Sequence, residues 1–530
     1  MKKYLLFLGY IVLMGDCAAA TVQKPAELAA THGYVYVNTP KGGTVSLTIQ
    51  PLPVNQEGNK KRSKRGKKLE LIERNDPNVI SFGRWLPEGE YKISEWNGYE
   101  FGDYPSFSVK AGHLTDLGSL ILFLIGGYEI VVLPVRHPET AGDVLLALNE
   151  YKQFLVSPDP IEWKPQAPPK PIKLQMQSTG LGIIADLISR HEREVNKPSI
   201  NKQLREAASI QDFFQLACAA TPPLSDEPAV DSQSNLYYGA DYGQIRMRKL
   251  TAEWSAIDTG TLGMVTAVEV DGESLMAGFD DGVIRSSANG GKTWKQLISL
   301  TPGEPVVDID RVNDGWLVTT MKVGPGPGVM LKVEEINVYL AGKSDLSDLS
   351  AVKKIAIKSP YLVASLSVRA QAFKNFYYIS IPPDLLRLDV SSMEWKTVNT
   401  KEVSGFRISP QSGTIAAYLA KGMFSKLYVS TDLGENWDEY KTPPYTIQDI
   451  YFEDKDKGRA VRMRADAFSG TNELLEYDSV KKDWRKTDEA PTGCPRVLWG
   501  VDNTPKFCVT SGGSILRHEK PQWAVEFSAE

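Results

Sequence analysis

The sequence predicts a mainly β chain: a β-propeller of about seven blades, preceded by a small β-sandwich and a short helical and Pro-rich connector. Three observations predict it. Tryptophans recur at positions 254, 294, 395, 437, 484 and 523, at intervals of 40, 101, 42, 47 and 39 residues. A period of 40–50 residues with about four short strands per unit is the signature of propeller blades. Two of these tryptophans end the same turn, Ser287-x-Asn289-x-Gly291-x-Thr293-Trp294 and Ser430-x-Asp432-x-Gly434-x-Asn436-Trp437. Upstream, short β-rich runs such as Tyr34-Val35-Tyr36-Val37 and Thr44 to Ile49 are separated by the turn signal Pro40-Lys41-Gly42-Gly43.

The chain has 530 residues, too many for one ordinary core, so two or three domains are expected. The expected divisions are a targeting segment at 1–20, a sandwich at 31–135, a connector at 138–235 and the propeller at 236–530. A net charge of −5 argues against a general nucleic-acid or membrane-surface binder.

The first twenty residues read as a signal peptide. Lys2 and Lys3 form a positive start, Tyr4 to Met14 an apolar stretch too short to span a bilayer, and Ala18-Ala19-Ala20 a small-residue cleavage site. The rival reading is lipidation at Cys17, although Met14-Gly15-Asp16 before it resembles a lipobox poorly. Either way the protein is expected to be exported, to the periplasm or outer membrane or into the medium. With the signal removed, no transmembrane helix is expected. Gly118 to Val135 is apolar enough to imitate one, but Gly126-Gly127 in its middle fits two buried strands joined by a hairpin.

In the sandwich region, Leu86-Pro87-x-Gly89-x-Tyr91 is followed by Val109-x-Ala111-Gly112-x-x-Thr115-x-Leu117-Gly118. This series resembles the prealbumin-like or PEGA-like small sandwiches of bacterial envelope proteins. Lys60 to Lys68 holds seven basic residues in nine. A solvated loop is the plainer reading, and attraction to anionic envelope polymers or headgroups the sharper one. In the connector, Thr140-x-x-Asp143 is positioned to cap a helix carrying Val144, Leu145, Leu148 and Tyr151 on one face. Ser157 to Pro171 is Pro-rich and therefore extended. Ile183 to His191 and Ile200 to Ala219 have helical spacing.

The interval of 101 residues implies a repeat that has lost its tryptophan near 345, where Ser344-Asp345-Leu346-Ser347-Asp348 stands. In the two sharp turns, the Ser hydroxyl and the Asp or Asn side chain suit bonds to nearby amides, the Gly suits a positive φ, and the Trp suits burial between blades. These residues match the Asp-box pattern S-x-D-x-G-x-T-W, each departing once, at Asn289 and at Asn436. Tyr451-Phe452-x-Asp454-x-x-x-Gly458-x-Ala460-Val461 resembles a strand of photosystem-assembly-factor-like repeats. The C-terminal half thus resembles the Asp-box (BNR-like) propeller superfamily, which includes sialidases, sortilin-type receptors and photosystem assembly factors. The resemblance implies a fold and leaves function to be argued from sites.

A sialidase-like hydrolase would need an arginine cluster for a carboxylate. Arg246, Arg248, Arg285, Arg311, Arg459, Arg462, Arg464, Arg485 and Arg496 supply the residue type, but no three stand in that family's motif contexts. Asp308-x-Asp310 with Asp314 suggests calcium only weakly; a solvated turn is the plainer reading, as it is for Asp454 and Asp456. The five histidines have no i, i+4 pair, and no nucleotide-binding fingerprint is present, so no metal and no cofactor are expected. Export permits a disulfide, for which Cys494 and Cys508 are the candidates; two buried thiols are the alternative. The function expected is a non-catalytic binding, scaffold or assembly module acting through the propeller surface. Its expected partner is an envelope protein or a glycan, and resemblance to assembly factors points to a membrane complex. The alternative is a sialidase-like glycoside hydrolase or glycan-binding protein.

Overall fold

The fold was analysed in a computed structural model, which describes residues 25–40, 47–52, 79–96, 106–125, 129–135, 206–221 and most of 228–527, with shorter pieces between. The signal segment with Cys17, most of Lys60 to Lys68, the segments at 140–151 and 183–191, and Asp314 lie outside the described residues.

Two sheets build the N-terminal part. One has the order Ile172–Lys173, Glu129–Val135, Leu114–Ile125, His32–Pro40, Val79–Pro87, Glu70–Ile72, with Ile161–Glu162 added beside Leu114–Ile125. The other runs Lys67–Lys68, Leu47–Pro51, Gly89–Trp96, Tyr99–Glu100, with Phe107–Val109 beside Gly89–Trp96. Val35, Val37, Leu47, Ile49, Leu86, Ile93, Leu117 and Leu120 fill the space between them. Strand alternation turns Tyr34 and Tyr36 to the opposite face, where Leu114, Trp85 and Leu155 cover them. The run Tyr34 to Val37 is therefore buried on both sides. The Tyr91 hydroxyl donates to the Pro87 carbonyl at 2.8 Å and ties the corner where the chain passes between the sheets. The apolar stretch after Gly118 forms antiparallel strands, Ile125 opposite Glu129 and Ile121 opposite Leu133. No helix among the described residues is long and apolar enough to cross a membrane.

The C-terminal part is a β-propeller of repeated four-stranded antiparallel sheets. Among the described residues there are seven, spanning 229–258, 265–299, 306–356, 369–397, 405–440, 446–490 and 496–527. They are numbered one to seven below. Each consists of four consecutive strands, so every ladder is local in sequence. First strands of successive sheets touch one another and form the inner wall of the ring. The first sheet takes its inner strand, Ala229–Val230, from before residue 236.

Each sheet stacks on the next through its own buried cluster. Tyr237 and Ile245 meet Val265 and Phe279; Met276 and Ile284 meet Val306 and Trp316; Val338 meets Tyr377 and Ile379. Tyr378 meets Phe406, Leu427 meets Phe452, and Val461 meets Val497. Ile515 of the seventh sheet then packs on Leu236 and Tyr238 of the first, which closes the ring. At that seam Glu526, almost wholly buried, accepts from Arg248 and from the Trp254 indole, the latter at 3.0 Å. The Arg248 guanidinium also lies 4.2 Å over the Phe507 ring.

One helix, Ile210–Ala220, joins the two parts. It starts at Ser209, whose hydroxyl caps the Asp212 amide at 3.0 Å. Sequence periodicity placed the helical stretch from Ile200, and the N-cap explains the later start of this element. Phe213, Ala217 and Cys218 fill a single cluster with Ile121 and Val131 of the N-terminal sheet and Tyr242 and Leu262 of the propeller. Arg246 of the first sheet reaches the helix C-terminus, donating to the carbonyls of Thr221, at 2.7 Å, and Cys218. A cation there complements the partial negative charge of the helix end. Burial pushes the Cys218 thiol up to about 12, with Asp258 adding to it and Arg246 opposing, so it is an inert core thiol.

Candidate functional site

The two sharp turns lie at the same place in their sheets, joining third and fourth strands on the outside of the ring. In the second sheet, Ser287 Oγ accepts the Gly291 amide at 2.9 Å, and Asn289 Oδ1 accepts the Thr293 amide at 2.9 Å. In the fifth, Ser430 Oγ accepts the Gly434 amide at 2.9 Å, and Asp432 Oδ1 accepts the Asn436 amide at 2.8 Å. Gly291 has φ +84° and Gly434 φ +87°, which glycine adopts without strain. The Trp294 and Trp437 indoles donate to Gly291 and Gly434 carbonyls at 3.0 and 3.1 Å. Both departures from the motif keep the bonding. Asn289 donates its amide to Thr293 Oγ1 at 2.9 Å, and Asn436 donates its own to Asp432 Oδ2 at 2.7 Å. Burial works to raise the Asp432 carboxyl, but the Asn436 amides and Ser430 hydroxyl outweigh it and hold the value below the ordinary one. These residues serve as turn locks, and no ligand is needed to account for any of them.

The tryptophan comb has a second role. Each of its members packs into the seam with the preceding sheet: Trp254 against the seventh, Trp294 the first, Trp395 the third, Trp437 the fourth, Trp484 the fifth, Trp523 the sixth. Several also donate across that seam, Trp484 to the Lys441 carbonyl at 2.6 Å, Trp523 to Glu489 at 2.9 Å, and Trp437 to Val398. In the third sheet, Leu346 takes the place of the missing tryptophan, 2% exposed, at φ +54° in the loop between third and fourth strands.

Asp308 and Asp310 do not form a solvated turn. They sit on the inner strand Val306–Val312 of the third sheet. Asp310 accepts the Ala372 amide of the fourth sheet at 2.7 Å, and Asp308 accepts the Tyr377 hydroxyl at 2.9 Å. Burial, then the neighbouring Asp310, raises the Asp308 carboxyl well above its ordinary range. Burial and Asp310 also push Glu269 up to about 8, against the pull of Arg311. Among the described residues, no three His, Cys, Asp or Glu side chains are grouped to hold a metal. The inner strands are laced elsewhere too: Gln371 bonds both the amide and the carbonyl of Ile408, and Arg407 pairs with buried Asp449 at 2.6 Å.

The arginines of the hydrolase alternative are spread over several sheets and engaged locally. Arg246 holds the connector helix, Arg248 the ring seam, Arg311 pairs with Asp271, Arg462 with Glu473, and Arg459 and Arg485 with Glu476. Each of these six is bound to a partner within the chain. Asp454 caps its hairpin turn, accepting the Asp456 and Lys457 amides at 2.8 and 3.0 Å. Cys494 and Cys508 are joined as a disulfide, with Cα atoms 5.8 Å apart, in the cluster between sixth and seventh sheets.

The feature with the shape of a binding site is a groove of about 500 Å³ between third and fourth sheets. Its floor is Ile355, Ile357, Ile381 and Leu386, and its rim carries Lys353, Lys354 and Lys396 with Asp384. Ser350–Ala356, the outermost strand of the third sheet, runs along it and pairs only on its inner side. Trp395 lines it, with Lys353 Nζ 5.6 Å over the ring, and its indole N–H is buried without an acceptor. Sequence reasoning marked Trp395 only as a member of the comb. The lysine pair 353–354 and the Pro382-Pro383 turn carried no signal by themselves, because only sheet stacking brings them together.

No protein-family model matches the chain, and no curated protein matches it. Among solved structures, YCF48 from Cyanidioschyzon merolae is similar at 14% identity and a TM-score of 0.39, over 57% of this chain and 99% of that one. A structure of YCF48 bound to D1 peptide gives 13% identity and 0.39, over 56% and 95%. An oligogalacturonate lyase in complex with manganese gives 9% and 0.39, over 57% and 87%.

Proposed function

We propose that this protein is an exported envelope component that works by binding, as a non-catalytic scaffold or assembly module whose propeller surface docks a protein partner. The carrying observation is a ring laced at every seam, in which described residues form an open groove beside the outer strand of the third sheet. A rigid frame presenting such a surface binds without first paying the entropy of ordering its own loops. The charged start, apolar stretch and Ala18 to Ala20 site support export, and the Cys494–Cys508 bridge suits an oxidising compartment. Release of the chain at Ala20 is the favoured processing, and a lipid on Cys17 is the other outcome that mass spectrometry of the mature N-terminus separates from it.

The test is in-cell crosslinking of the tagged full chain, followed by capture and mass spectrometry. A stoichiometric envelope partner is expected. Recovery of the protein alone, together with turnover of a fluorogenic glycoside at an ordinary enzymatic rate of about 1 per second or more, would sink the binding reading.

A further inference from the structure

We propose that the groove between third and fourth sheets takes an extended, acidic segment of a partner protein that carries an apolar side chain. This deepens the binding reading and rests on it. Three features of the groove carry the argument.

The first is the missing seal. At four other seams, the comb tryptophan donates its indole N–H across to the preceding sheet: Trp254 to Glu526, Trp437 to Val398, Trp484 to Lys441, Trp523 to Glu489. At this seam the Trp395 N–H is buried and has no acceptor. A buried donor left unmade costs about 1–3 kcal/mol, so the protein holds an unfilled bonding position here that it fills elsewhere with a backbone carbonyl or, at one seam, the Glu526 carboxylate. An incoming chain that displaces the side chains covering this N–H would supply a carbonyl or carboxylate to fill it.

The second is charge. The protein as a whole is at −5, yet the groove rim has three lysines and one carboxylate. Lys396 is also paired with Glu435 and Lys353 lies over the Trp395 ring, which leaves Lys354 as the rim lysine with no ion pair among the described residues. Such a local reversal of sign steers acidic segments to this seam and away from the rest of the surface. The third is backbone. Like the fourth strand of every propeller sheet, the outer strand Ser350–Ala356 is hydrogen-bonded on one side only; what sets this one apart is the groove beside it, with Ile355 and Ile357 in its floor. An extended chain has a ladder to pair with and a place for an apolar side chain.

The test uses the mature full chain and a fluorescein-labelled peptide of leucine flanked by aspartate and glutamate, with a second peptide in which every acid is lysine. The acidic peptide is expected to bind, more weakly as salt rises, and the lysine peptide not to bind. Lys354→Glu is expected to weaken binding roughly ten-fold, and Trp395→Phe, which keeps an aromatic ring but removes the N–H with the fused five-membered ring, by about three- to ten-fold. Lys292→Glu, an exposed charge change on the second sheet, is expected to leave affinity unchanged. Equal binding of the two peptides, or unaltered affinity in Lys354→Glu, overturns the proposal; so does binding of an anionic polysaccharide such as alginate with none of the acidic peptide. Photo-crosslinking in cells from position 356 and from position 292 separates the two levels. A partner captured from the whole tagged chain but never from 356 overturns the groove assignment and leaves the binding reading standing, whereas no partner captured from the whole chain overturns both.

Discussion

Gly291 and Gly434 hold the same place in two matching turns but stand in different company. Alanine at either must adopt a left-handed backbone, at about 1–2 kcal/mol. At Gly291 the added methyl also collides with the Ile257 side chain, whereas at Gly434 it meets Val398 Cβ at 3.1 Å. Gly290, with φ +67° and nothing within 4 Å, isolates the backbone cost. Thermal unfolding of the three variants is therefore expected to rank Gly291→Ala as the most damaging, then Gly434→Ala, then Gly290→Ala. Glu269 offers a titration. Its carboxyl is held near 8 in the folded chain, against about 4.3 unfolded. A carboxyl raised on folding favours the folded state fully below the unfolded value, and that contribution is lost as pH climbs to the folded one. Wild type is thus expected to lose stability relative to Glu269→Gln between about pH 4.3 and 8. Parallel urea curves for the two proteins across that range would refute the assignment.

Among elements, the seams are where sequence and structure can be compared most closely. The comb of tryptophans was legible because a large indole must recur wherever sheets stack, and the interval of 101 marked the repeat without one. What replaced it was not legible, since Leu346 looks like any core leucine until its loop is folded against the second sheet. Asp308 and Asp310 misled in the opposite sense. Two acids in three residues read as a turn, yet an inner strand accommodates them because the neighbouring sheet supplies the Ala372 amide and the Tyr377 hydroxyl. The groove was hidden for a third reason: its two walls, at 353–357 and 381–397, are far apart along the chain and meet only through stacking. The seams also predict a contrast. Trp484→Phe and Trp523→Phe each remove a bond across a seam and are expected to cost about 1 kcal/mol. Trp395→Phe loses the same ring volume but a donor that has no acceptor, and it is expected to cost less stability than either of the other two. A Trp395→Phe loss as large as the other two would show that its N–H is bonded after all.

For the whole molecule, two joints decide whether the parts act together. One is the helix Ile210–Ala220, which shares a cluster with both the N-terminal sheet and the first propeller sheet. The other is the seam of first and seventh sheets. Removing Glu526 strands Arg248, which is almost fully buried, and breaking a buried pair in this way costs about 3–5 kcal/mol. Glu526→Ala is expected to lower the unfolding midpoint and to raise protease cleavage within 496–527 first. Cleavage that begins instead at the fourth and fifth sheets would show that closure does not depend on this pair.

That seam has a consequence in time. Within each sheet, neighbouring strands follow one another along the chain, so each blade can zip up from local contacts as soon as its own residues are present. Arg248 and Glu526 are 278 positions apart, so their pairing closes a loop that spans all the intermediate blades. Assembly of the ring is therefore a run of quick, local steps that ends in one slow loop closure, whose entropic cost grows only gently with the length of chain enclosed. Until that last step the two terminal blades each leave one apolar face uncovered, and it is this short-lived open arc, rather than the finished ring, that a folding helper would have to recognise.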